Sequence, residues 1–172
     1  MLNNAVRDSI IKRILKIPKK IIEHKTNSAL AECILYELSG ELCLHLKKIA
    51  YFVYNPDFHL CKGIAGISRE NISNWCEEDH WNKIEDFSKI IKNSEFNKKV
   101  LEKSFCTLSH NSIDLIIIDL KKSLENENLI SYSWEVKNKN IGILLYEASS
   151  QNINLNEEIE DAAGILSFCP IQ

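Results

Sequence analysis

Apolar residues open the chain at Val6, Ile10, Ile14, Ile17 and Ile21, steps of three and four that place them on one helical stripe. A second stripe, Ile11, Leu15 and Ile22, lies beside the first. Pro18 removes one helical hydrogen bond, so the pattern predicts a kink there or a second helix starting near Lys19. The next helix opens at Asn27 or Ser28, either of which can cap it, and carries Leu30, Cys33, Ile34, Leu38 and Leu42 at helical spacing. Gly40 weakens its last turn without ending it.

The period then changes from helical to alternating. Ile49, Tyr51 and Val53 alternate with Ala50, Phe52 and Tyr54, so both faces are apolar, as in a central strand. Asn55-Pro56-Asp57 marks a turn, and Phe58 to Ser68 reads as the returning strand. Gly63 and Gly66 within it predict a bulge, or a point of close approach by backbone or ligand. From Asn71 to about Leu101 the pattern is helical, with Ile84, Phe87, Ile90 and Ile91 as its apolar face. Strands are expected at Ser104 to Ser109 and at Ser112 to Leu120, the latter for its run Leu115-Ile116-Ile117-Ile118. Leu129 to Val136 and Ile141 to Ala148 flank Lys137-Asn138-Lys139-Asn140 as a hairpin. A closing helix begins near Asn154 or Asn156, turns Ile159, Ala162, Ala163 and Leu166 inward, and stops at Pro170.

Strand runs joined by hairpins imply an antiparallel sheet rather than alternating βαβ units. The expected class is therefore α+β: a central antiparallel sheet, helices on one face, the terminal helices bundled together, and the other face open to hold a pocket. A length of 172 residues suits one body, with residues 1–25 as a basic amphipathic helix ahead of residues 26–172.

Charge sharpens that division. Residues 1–25 carry a balance of +5, whereas the remainder carries −8. An acidic body is not expected to bind nucleic acid, and the basic segment can attract it within or between chains. The six cysteines form no CxxC pair, Lys or Arg interrupts the N-terminal apolar positions, and no apolar run approaches a membrane span. Free thiols in the cytoplasm are the simplest expectation.

Three pairings suggest chemistry. Cys76-x3-His80 and Cys106-x3-His110 share a spacing, and His59-x-Cys61 adds a strand pair. Convergence of Cys76, His80, Cys106 and His110 would give a tetrahedral set suited to zinc and also possible for iron. The plainer reading is that the cysteines are small core hydrophobes. Trp75 and Trp81 bracket an acidic run, either as anchors of a surface helix or as a wall over a ligand pocket shared with Cys61 and Cys106. No Gly-rich phosphate loop, G-x-S-x-G or HExxH motif is present. Asp114 and Asp119 are weak grounds for acid–base work. The stripe Ile10, Ile14, Ile17 and Ile21 reads as cover for the core, as a dimer seam, or as a basic membrane-surface helix.

Three stretches resemble a GAF domain, a small sensory fold related in architecture to PAS domains. Ala29–Leu44 followed by Lys48–Ser68 looks like its opening helix and first hairpin, with "FHLCKGIAGIS" as the second strand. "LISYSWEVKNKNIGILLYEA" looks like the closing hairpin and "LNEEIEDAAGILSF" like the terminal helix. The resemblance implies a domain that binds a small molecule or metal, or homodimerises through its terminal helices, to control transcription or signalling. One enzyme of this architecture, free methionine sulfoxide reductase, uses cysteines in G-V-C-G-like and A-C-D-like contexts that are absent here. Two other functions compete: a ligand-free adaptor that docks through the N-terminal helix, and a small thiol redox enzyme using Cys61, Cys76 or Cys106.

Overall fold

A computed structural model describes residues 4–25, 27–72, 80–103, 106–107, 112–149 and 156–169. The expected α+β class holds: helices surround one antiparallel sheet. The basic segment forms α1 (Asn4–Ile14) and α2 (Ile17–Glu23), with Pro18 in the first turn of α2, where its missing N–H is harmless. Next comes α3 (Leu30–Ser39), entered through an Asn27 side chain that accepts the Ala29 N–H at 2.9 Å. Gly40 ends α3 rather than merely weakening it, so Leu42 lies outside the helix and is exposed.

The hairpin of β1 (Leu46–Asn55) and β2 (Leu60–Ser68) follows, turning where Asn55 accepts the Phe58 N–H. Then come α4 (Ile84–Asn93), α5 (Glu95–Leu101), the short β3 (Cys106–Thr107) and α6 (Ile113–Ser123). The chain closes with β4 (Ile130–Glu135), β5 (Ile141–Ala148) and α7 (Asn156–Leu166). The expected strand at Ser112 to Leu120 is thus helix α6. Only Ile116 and Leu120 of α6 are buried, a spacing of four, and Leu115 and Ile118 point outward. A strand would have buried alternate residues.

The sheet runs β3-β2-β1-β5-β4, antiparallel throughout, with the doubly apolar β1 at its centre. Its two faces carry separate cores. On one, Ile49, Tyr51 and Val53 pack with Ile10 and Ile14 of α1, Ile17 and Ile21 of α2, and buried residues of α3, α4 and α7. On the other, Ala50, Phe52 and Tyr54 pack with Phe96 and Val100 of α5 and Ile116 and Leu120 of α6. The second face, expected to stand open, is therefore covered as well.

Two glycines of β2 make that cover possible. The pairing slips between Tyr51 and Phe52, leaving Ile64 as the extra residue of a bulge. A Cβ on Gly63 would sit 1.9 Å from the Val100 carbonyl oxygen, and one on Gly66 would sit 2.6 Å from the Val100 side chain. Only bare backbone lets α5 lie this close. Because β3 pairs only with Leu60 and Cys61, Gly66 finds its partner elsewhere: its N–H donates to the fully buried Asn97 Oδ1 at 2.8 Å.

Candidate functional site

The C-terminal turn of α3 brings together the most distinctive polar groups. Here Tyr36 is fully buried, and Arg69, just past the end of β2, lies with its guanidinium carbon 4.0 Å from the ring centroid. The same guanidinium donates to the Tyr36 carbonyl oxygen, and its Nε donates to Ser39 Oγ at 2.9 Å. These bonds serve carbonyls and hydroxyls that a helix end leaves unsatisfied.

Around this anchor lies a cleft of about 440 Å³, lined by Tyr36, Ser39, His45, Lys47, Arg69 and Ser149 among others. One wall is tied by the Ser149 N–H, which donates to the His45 carbonyl at 3.1 Å. His45 adopts φ 51, in the left-handed region, where a side chain costs roughly 1–2 kcal/mol. Glu41 and Glu70 add negative charge to the lining, so the cleft offers both signs.

Tyr36 also meets a second cluster. Its ring makes an edge contact with His80 at 4.9 Å and a tilted contact with Phe87 at 4.9 Å. The next residue, Glu37, accepts the Trp81 Nε1–H at 2.6 Å and lies 3.2 Å from His80 Nε2. Burial works against a charged Glu37, but the hydrogen bonds from His80 and Trp81, with the charges of His80 and Arg13, outweigh it and hold this carboxyl below its ordinary range. Trp81 in turn stacks on His24, the residue capping α2, at 5.7 Å and 25°. An unbroken line of contacts thus joins Arg69 in the cleft to α2.

The residues singled out in the sequence fall differently. Trp81 belongs to the core on one face of the sheet and Cys61 to the core on the other, so they do not line one pocket. Cys61 does stand opposite Cys106 in the β2–β3 register. Trp75, Cys76 and His110 lie outside the described residues. His80 is engaged with Glu37, Tyr36 and Phe87, and among the described residues no three His, Cys, Asp or Glu groups converge on a metal-sized site. Ile10, Ile14, Ile17 and Ile21 are buried in the chain's own core, which corrects their reading as a dimer seam or adaptor stripe. They are spent on packing α1 and α2 to the sheet.

Two thiols outside the redox reading of Cys61, Cys76 and Cys106 are set by burial. Burial, with the charge of Glu32, pushes Cys169 up to about 12, and burial beside Glu32 and Glu37 raises Cys33 further. Neither thiol carries the thiolate a nucleophile needs. Tyr36, Glu37, Arg69 and His24 escaped the sequence reading. The one signal available was an arginine placed directly after a strand.

These observations define an α+β domain with a polar cleft at the end of α3. Compared with known proteins, the chain matches no family model, no curated protein and no solved structure. No helix among the described residues is long and apolar enough to cross a membrane.

Proposed function

We propose that this protein is a GAF-like regulatory domain in which a small anionic or zwitterionic molecule occupies the Arg69 cleft and biases the N-terminal helices. The observation that carries the reading is that Tyr36 contacts both Arg69 and, through His80, the Glu37–Trp81–His24 cluster. A ligand that draws Arg69 away from the Tyr36 ring changes the packing on which His80 and Trp81 rest. The shift of α2 follows only insofar as the ligand binds the two arrangements unequally. The elements that carry the resemblance also support this reading. The hairpin of β1 and β2 and the hairpin of β4 and β5 meet at the sheet centre, and α7 packs beside α1. Free thiols at Cys33 and Cys169 suit the cytoplasm.

The test has two stages. Native mass spectrometry on protein purified without oxygen reports oligomeric state and any retained small molecule. Amide NMR titration with a panel of carboxylates and nucleoside phosphates then follows Ser39, Arg69 and Ser149 together with His24 and Trp81. Joint movement of both groups supports a relayed signal. Silence across the panel with no retained mass, or movement confined to the cleft, removes the sensory reading.

A further inference from the structure

We infer that the outward face of α1 and α2 is a docking surface for an anionic lipid membrane. The inward stripe of these helices is buried, but the adjoining one is not. Leu15 is 69% exposed and Ile22 is 72% exposed, among the highest values for large apolar residues of the described chain. Ile10 and Ile17, like Ile14 and Ile21, are buried at seven-residue spacing on either side of the junction, so rows seven residues apart carry across it. One row is Leu15 and Ile22, and beside it run half-buried Ile11 and exposed Pro18. On the other side lie Lys12 and Lys19, both exposed, with exposed Lys16 beyond them.

Charge decides between occupants. This face presents three exposed lysines, Lys12, Lys16 and Lys19, against Asp8 and Glu23, and Glu23 is already engaged with Lys19 and Lys20 at 3.9 Å. A second copy docked through the same face would bring like charges together. An acidic protein partner answers the charge, but its recognition of a helix face rests on several apolar anchors, and here Leu15 and Ile22 are the two that are exposed. A lipid interface takes Leu15 and Ile22 into its acyl boundary and lets lysine stems reach back to the headgroups. The strongly acidic remainder of the chain is repelled by the same surface, which fixes the orientation of approach.

Co-sedimentation of the full chain with vesicles tests this. Vesicles of phosphatidylcholine alone are compared with vesicles containing about 30% phosphatidylglycerol. The protein is expected to bind only the anionic vesicles and to release as salt rises from about 0.05 M to 0.5 M. The Leu15→Ser/Ile22→Ser variant should weaken binding at least roughly tenfold. The Lys12→Glu/Lys19→Glu variant should weaken it roughly thirty-fold or more. Circular dichroism checks that both variants keep the fold, as expected for changes at exposed positions. Absence of anionic-vesicle binding overturns the proposal, as does equal binding to neutral vesicles or indifference to both variants. A wild-type dimer in sedimentation equilibrium that the Leu15→Ser/Ile22→Ser variant dissociates would assign the ridge to a second copy instead.

Discussion

Glu37 is the junction between α3 and the aromatic cluster, and replacing it with glutamine tests that assignment cleanly. Glu37→Gln keeps the shape and one acceptor oxygen but removes the charge that the Trp81 Nε1–H and His80 Nε2 face at 2.6 and 3.2 Å. Hydrogen bonds to a charged group contribute about 1.5–3 kcal/mol and neutral ones about 0.5–1.5 kcal/mol, so each contact weakens by about 1 kcal/mol. The Glu37 side chain is 19% exposed, and partial screening by solvent brings the expected total loss to about 1–2 kcal/mol at neutral pH. The pH dependence has a definite sign. The folded-state value of Glu37 lies below 4.5, so its contribution is complete above that pH and is lost as pH falls through the folded value. Urea denaturation followed by tryptophan emission, run on both proteins from pH 7 to pH 3, measures the difference, since groups that do not face Glu37 cancel. The gap between wild type and variant should hold down to about pH 5.5 and close below about pH 4.5. A gap that is absent at neutral pH, or that persists unchanged at pH 3, would refute the charged-acceptor role.

Other expectations follow from close packing and burial. Gly63→Ala forces a methyl onto the Val100 carbonyl and should cost about 2–3 kcal/mol, seen as a fall of roughly 5–10 °C in the circular-dichroism melting temperature. An unchanged melt would mean that α5 does not lie against β2. Asn97→Ala strands the Gly66 N–H and should cost about 1–3 kcal/mol in urea denaturation, whereas loss of a mere surface contact would cost under about 0.5 kcal/mol. Peptide mapping after iodoacetamide treatment at pH 8 should find Cys33 and Cys169 unmodified in the native protein and fully modified in urea. Rapid native labelling of either would contradict their raised values.

The sequence was most informative where pattern and packing agree. The doubly apolar run of Ile49 to Tyr54 marked the central strand because a strand covered on both faces must bury every side chain. Gly63 and Gly66 announced a close approach, and α5 supplies it. The run Leu115 to Ile118 misled because four β-branched or leucine residues in succession hide their period. What settles α6 is that its burial falls on Ile116 and Leu120 alone. The candidate site was largely illegible for a different reason. Arg69 reaches Ser39 across 30 residues of chain, and Trp81 reaches Glu37 across 44, distances at which no local spacing rule applies. The cysteines and histidines drew attention by their proximity in sequence, yet β1 and β2 separate Cys61 from Trp81 onto opposite sides of the sheet. Alternation along a strand decides such sorting, and it is visible only once the register is known.

The sheet also acts as a partition. One compartment is filled from both ends of the described chain, by α1, α2, α3 and α7 with α4, while the other is filled by α5 and α6 from its middle. Side chains of β1 enter both, so this strand is the common wall. Each compartment can loosen while the other stays packed, and β1 is released only when both have opened. Amide protons of Ile49 to Val53 should therefore exchange last, at a rate set by global unfolding, while those of α6 exchange earlier through a partial opening that leaves the Arg69 cleft intact.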